Sequence, residues 1–356
     1  MKIKKILYVS LLINIVIAFD IHAMQRPSNK QKAEQFSRRV YPSNLPLLLC
    51  CGCLKNEESC LSWLPMELIV EIINHIREIQ TDQDLLNARN DQDLFKGLKA
   101  NDESEVRRLL NEPYIDINIK DENGYTLLMW ASYKNNPEIV QMLLDNNANP
   151  NIQDRDGNTA LNLVARYNHS KIVQMLLDNG ANPDIQNTKV DTPLIWASYK
   201  NNPAIVQMLL DKGANPDTQD KYGFTPLMWA VKNRNLEIVK ILLANGANLN
   251  MQDKDRETAL KLAVKNRNLE IVQILLDKGA NPDIQNIYGE TALTWAINNN
   301  HLEIARVLLD NDANLDIKGK LGNTPLKWAV KLENQVIIDL IIKAKKGADS
   351  TFCIIG

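Results

Sequence analysis

Thr126, Thr159, Thr192, Thr225, Thr258, Thr291 and Thr324 stand 33 residues apart, with no insertion or deletion between them. A fixed period of that length means stacked copies of one supersecondary unit, none of which can bury its apolar face alone. Two residues after each Thr the chain has Leu: Leu128, Leu161, Leu194, Leu227, Leu260, Leu293 and Leu326. Four after, it has Trp or Leu, and five after, a small residue, Ala131 being the first. That pattern predicts a short helix with one tightly packed face. Thr suits its N-cap, and Pro193, Pro226 and Pro325 take the first helical position, where no backbone N–H is needed.

A second helix follows. Ile139, Val140, Leu143 and Leu144 form an apolar stripe, which recurs through Ile337–Ile342. Gly180, Gly213, Gly246 and Gly279 then stand where a helix ends on a left-handed residue. A link of the type N-P-D-I-Q-D and a turn Gly lead to the next Thr.

These residues resemble the ankyrin repeat, D-x-x-G-x-T-P-L-H-x-A…E-I-V-x-L-L-L-x-x-G-A-D-x-N, over about Asp91 to Asp349. The resemblance implies an all-α ankyrin-repeat solenoid of helix-turn-helix units joined by β-hairpin loops, preceded by a short helical segment. It also marks departures. The family's His is replaced by Met129, Asn162, Ile195, Met228, Lys261, Thr294 and Lys327, which removes a polar tie between neighbouring repeats. Val190 and Arg256 replace the turn Gly, at a cost of about 1 kcal/mol each if the turn needs positive φ. Asn147 and Asp312 replace the helix-ending Gly.

The stack takes most of the 356 residues. A net charge of −2 argues against a general nucleic-acid binder, and a single Cys after residue 60 excludes a disulfide-held stack. Residues 1–23 read as a secretory signal: Lys2, Lys4 and Lys5, then the apolar run Ile6 to Phe19, then Ala23 at the cleavage position. The other reading is an uncleaved anchor, for which the run is short of the roughly 20 residues a span needs. With the signal removed, the chain is expected to be exported, monomeric and without stable membrane insertion. Its expected place is secreted or extracytoplasmic, with the cytosol of a host cell as a further destination.

Residues 24–60 read as a linker. Cys50, Cys51, Cys53 and Cys60 have poor chelate spacing and no His nearby, so they read as thiols rather than metal ligands. Within residues 61–90, Leu64-Pro65-x-Glu67-Leu68-x-x-x-Ile72 resembles the start of an F-box, and Asp84 to Arg89 resembles that family's second helix. The resemblance implies docking of Leu64, Pro65, Glu67, Leu68 and Ile72 on a Skp-type adaptor of a ubiquitin ligase, with the repeats holding the substrate. Joined to a signal sequence, this order is similar to secreted ankyrin effectors of intracellular bacteria. A third F-box helix has no counterpart before the stack. Without the resemblance, the same stripe is an amphipathic helix that caps the first repeat. Residues 91–349 hold a degenerate opening repeat, lengthened at Glu112-Pro113-Tyr114, and seven regular ones; 350–356 form a tail.

No phosphate-cradling loop, H-E-x-x-H or nucleophile with a partner occurs, so neither catalytic residues nor a cofactor is expected. His169 and His301 fall in inter-helix turns. The five repeat Trp recur at one packing position and read as core. Binding is expected instead at positions that vary between repeats, on the concave face and the hairpin tips. These are Tyr125, Tyr133, Lys134, Arg166, Tyr167, Tyr199, Lys200, Tyr222, Phe224, Lys232, Lys265 and Tyr288. Tyr and Arg are favoured interface anchors, and the cations point to a protein partner with an acidic surface.

Overall fold

The computed structural model describes residues 92–111 and 115–352, with side chains through 345. The chain divides into Met1–Leu85 and Leu86–Gly356, and every described residue belongs to the second unit. The signal sequence, the linker with its four Cys, the F-box-like Leu64, Pro65, Glu67, Leu68 and Ile72, and residues 112–114 lie outside the described residues.

Among the described residues, sixteen helices follow in pairs. The opening repeat has α1 (92–100) and α2 (Glu103–Leu110). The regular repeats then have α3 (Leu127–Tyr133) and α4 (Pro137–Asp145), α5 (Ala160–Tyr167) and α6 (Ser170–Asp178), α7 (Pro193–Tyr199) and α8 (Pro203–Asp211). Next come α9 (Pro226–Lys232) and α10 (Leu236–Ala244), α11 (Ala259–Lys265) and α12 (Leu269–Asp277). The last pairs are α13 (Ala292–Asn298) and α14 (Leu302–Asp310), α15 (Pro325–Lys331) and α16 (Gln335–Phe352). From α3 onward each odd helix packs on the next odd one; the even helices pack on the next even one from α2 to α10 and again from α12 to α16. The last helix runs on into the segment read as a tail.

Each odd helix from α3 onward starts where its Thr lies. The Thr hydroxyl accepts from the third helical amide, as in Thr126 from Met129 (3.2 Å) and Thr225 from Met228 (3.2 Å). Five of the even helices begin on Asn: Asn136, Asn202, Asn235, Asn268 and Asn334 accept from amides three residues on; α2 begins on Asp102, and α6 and α14 on His169 and His301 without a side-chain cap. Between the two helices the residue nine after each Thr, from Asn135 to Glu333, takes positive φ. Asn does so at little cost, whereas Arg234, Arg267 and Glu333 are strained there. The apolar stripes close the core: Leu128, Ile139, Val140 and Leu143 are fully buried, as are their equivalents in the next four repeats, while Leu326 and Ile338 of the last repeat are half-buried. Each such side chain contributes roughly 1.5–3 kcal/mol.

The hairpin loops turn through backbone hydrogen bonds such as Asp154 N–H to Asn158 C=O (2.9 Å) and Gly157 N–H to Asp154 C=O (3.0 Å). Among the described residues, Lys120 and Thr126 form the one isolated antiparallel bridge. Val190 and Arg256 have φ of 65° and 59°, so both carry the strain expected of a non-Gly residue in that turn. Asn147 and Asp312 likewise stand at positive φ.

At two of the seven positions that lack the family's His, another side chain restores the polar tie. Asn162 donates from Nδ2 to the carbonyls of Ile185 (3.4 Å) and Asp191 (3.3 Å) in the next repeat. Lys261, 1% exposed, donates from Nζ to the carbonyl of Glu290 (2.7 Å). A second set of ties lies in the links. The side chains of Asn118, Asn151, Asp184, Asp217, Asn250 and Asp283 each accept from a backbone amide 31 residues on, at 2.7–2.9 Å. Gln153, Gln219, Gln252 and Gln285 donate to carbonyls 33 residues on. The links thus form a hydrogen-bonded spine between repeats.

Candidate binding face

The residue seven after each Thr ends an odd helix, or in α5 stands one residue before its end, three residues after the Trp position. Side chains three apart on a helix meet. Trp130, Trp196, Trp229, Trp295 and Trp328 are half-buried, not core; all but Trp229 pack against the apolar cluster, and the five serve as the floor of the face. This corrects the sequence reading, which made them packing residues only.

The floor is covered by Tyr and by cations. Tyr125, half-buried, lies 5.5 Å from Trp130, and Trp130 lies 6.0 Å from Tyr133 at 87°. Tyr133 meets Tyr167 of the next repeat at 5.2 Å and 79°. Arg166 stands over Tyr167 (5.7 Å) and over Trp196 (4.8 Å) of the repeat after. Tyr199 joins Trp196 (5.9 Å) to Trp229 (4.9 Å), and Lys200 sits above it at 5.4 Å. Lys232 lies over both Trp229 (4.6 Å) and Phe224 (5.0 Å). One strip of rings and cations therefore runs from Tyr125 to Phe224.

Beyond it the strip breaks. Leu262 replaces Trp, and beside it Lys261 is buried between Glu257 and Glu290, each at 3.6 Å. Burial lowers the Lys261 pKa below the usual lysine range, while the two carboxylates oppose that shift. Lys265 reaches Glu257 at 2.6 Å and lies over Trp295 at 4.7 Å. Lys134 is exposed beside the strip. Tyr222 and Tyr288 stand exposed at the loop tips, where Lys221 covers Tyr222 at 4.7 Å; among the described residues no ring contact joins them to the strip.

Sequence reasoning missed Lys99, over Trp130 at 5.1 Å; Lys331, which continues the row of cations seven residues after the Thr, lies over Trp328 at 5.0 Å. The Trp-x-x-Lys spacing within one helix announces Lys331 as it does Lys232; Lys99 needs the stack. The two described His both reach across repeat boundaries. His169 contacts the carbonyl of Ser132 through Nδ1 (3.0 Å), and His301 accepts at Nε2 from Arg267 Nε (2.7 Å). Burial, then the Arg267 charge, lowers the His301 pKa. Among the described residues no group of three or more His, Cys, Asp or Glu side chains could hold a metal ion, and no helix is long and apolar enough to cross a membrane.

The family model described as ankyrin repeats (3 copies) matches overlapping windows that together run from residue 71 to 352. The chain belongs to the ankyrin-repeat family. Ankyrin repeats form non-enzymatic scaffolds that bind proteins. A solved relative is the ankyrin repeat domain of Bcl-3, described as a unique member of the IkappaB protein family. It shares 29% identity at a TM-score of 0.57, and the similarity covers 62% of this chain and 99% of that one. No curated protein matches the chain.

Proposed function

We propose that this ankyrin stack holds a segment of a protein partner along the face of its odd helices, and that the segment is largely acidic. The continuous strip from Tyr125 to Phe224, with Arg166, Lys200 and Lys232 lying on its rings, carries this reading. Stacked cations keep their charge exposed while their stems cover the rings, so they meet a carboxylate with little loss of side-chain freedom. The test is affinity capture with the chain lacking residues 1–23, beside a Tyr199→Ala/Lys232→Ala variant. A bound protein held at least about tenfold more weakly by the variant, with an unchanged melting temperature, supports the face as the site. Undiminished retention rules it out.

The finer reading makes the stack the substrate-holding part of a ubiquitin-ligase adaptor in a host cell, with Leu64, Pro65, Glu67, Leu68 and Ile72 docking on a Skp-type adaptor. Its support is the sequence pattern alone. The alternative is a plain scaffold or inhibitor acting outside the bacterial cytoplasm, in which residues 61–90 extend the stack. The family match beginning at residue 71, inside that segment, favours it. Binding to a purified Skp-type adaptor that is lost on Leu64→Ala/Pro65→Ala favours the first reading; no binding by the unaltered chain ends it. Export rests on the signal-like residues 1–23 and is tested by N-terminal sequencing of secreted material.

A further inference from the structure

The pair of rings one residue before and four residues after the Thr occurs twice with nearly the same geometry. Phe224 and Trp229 lie 4.9 Å apart at 40°, and Tyr125 and Trp130 lie 5.5 Å apart at 45°. At the first pair the chain supplies its own ligand: the Lys232 ammonium sits 4.6 Å from one ring and 5.0 Å from the other. At the second pair the equivalent position holds Tyr133, so no lysine from that helix can enter. A cleft of about 520 Å³ is found there instead, walled by Tyr125, Trp130, Tyr133 and Tyr167. The Trp130–Tyr133 and Tyr133–Tyr167 pairs stand near-perpendicular, which makes walls rather than a flat stack.

The charges at this cleft differ from those of the rest of the strip. Asp154 and Asp156 line it, together with Arg155. Burial raises the Tyr125 pKa, and Asp154, Tyr167 and Asp156 add to the shift. Lys99 lies over Trp130 at 5.1 Å but is not among the residues that line the cleft. Lys99 therefore does not replace the missing counterpart of Lys232. Ring faces attract ammonium and guanidinium groups, more strongly when these are desolvated, and neighbouring carboxylates add to that attraction.

We infer that the cleft formed by Tyr125, Trp130, Tyr133 and Tyr167 is a docking site for one lysine or arginine side chain of the partner, which takes the place that Lys232 fills in the repeat of Thr225. This rests on the proposed use of the odd-helix face and gives it a direction. The partner's segment carries a cation where it meets the first regular repeat and acidic residues where it crosses Arg166, Lys200 and Lys232.

The experiment titrates the ¹⁵N-labelled full chain with Nα-acetyl-lysine methylamide, its Nζ-trimethyl form and the uncharged Nα-acetyl-norleucine methylamide, following the indole N–H signals. Both cations are expected to shift Trp130 saturably while Trp229 stays still, and norleucine to shift neither. Tyr167→Ala/Asp156→Asn should weaken the lysine probe about fivefold or more. Tyr133→Lys should close the site, and Lys232→Ala should open a second one at Trp229. The proposal fails if norleucine moves Trp130 as far as the cations do, if Tyr133→Lys leaves the response intact, or if no probe binds. Failure here, with partner retention still lost in Tyr199→Ala/Lys232→Ala, removes the cleft assignment and leaves the binding face standing.

Discussion

Lys261 donates its ammonium to the backbone carbonyl of Glu290 across a repeat boundary, at 2.7 Å, from a position that is 1% exposed. The same ammonium lies 3.6 Å from Glu257, whose side chain is almost fully buried. Removing one partner of a buried pair leaves the other charge short of compensation, which typically costs 3–5 kcal/mol. Glu257 retains Lys265 at 2.6 Å, so Lys261→Ala is expected at the low end, about 3 kcal/mol, in chemical unfolding. A loss below about 1 kcal/mol would show that this tie does not hold repeats together.

The spine makes a second prediction. Asn151 accepts from the amide of Asn182 (2.7 Å) and donates to the carbonyl of Gly180 (3.1 Å). Asn151→Ala should destabilise by about 1–2 kcal/mol, one modest term per hydrogen bond. The Asn182 amide should also exchange with solvent faster than in the parent protein, which hydrogen-exchange mass spectrometry reads directly.

Strain at the loop tips is removable. Val190 holds φ of 65°, whereas Gly124, Gly157, Gly223 and Gly289 take the equivalent turn freely. Val190→Gly should stabilise by about 1 kcal/mol. The reverse change at Gly223 should be harmful, because a Cβ there would come within 2.9 Å of the Lys254 backbone nitrogen and of Asp253 Cα. Paired thermal melts of the two variants, moving in opposite directions, are the check.

One carboxylate is worth neutralising. Burial, opposed by amide hydrogen bonds, raises the Asp253 pKa. A carboxyl whose folded pKa is raised favours folding below its unfolded pKa of about 4 and loses that contribution as pH rises through the folded value. At pH 7, Asp253→Asn is therefore expected to raise the melting temperature by about 1–2 °C, with the gain vanishing near pH 3. Asn286, at the same repeat position, shows the fit: its Oδ1 accepts from Tyr288 and Glu290 amides, and its Nδ2 donates to Glu290. Glu257 Oε2, which has no hydrogen-bond partner, is the equivalent acceptor beside Asp253. Melts at the two pH values test the sign.

The sequence by itself determined the repeat length, the helix pairs, their Thr caps and the buried stripes of Leu, Ile and Val. Each of these depends on residues within one turn or two of each other, and the 33-residue period shows them seven times. It also pointed to the aromatic and basic positions at the ends of the odd helices, because they vary where the packing positions do not. Only the tertiary structure decided that Trp130, Trp196 and Trp229 are a floor and not a core. Periodicity reports that a position repeats, whereas exposure depends on what the neighbouring repeat leaves uncovered. The same holds for the Asn and Asp spine, for the Lys261–Glu290 tie in place of His, and for the meeting of Tyr133 with Tyr167 and of Tyr199 with Trp229. Their partners lie about one repeat or more away in sequence and become neighbours only when helices stack.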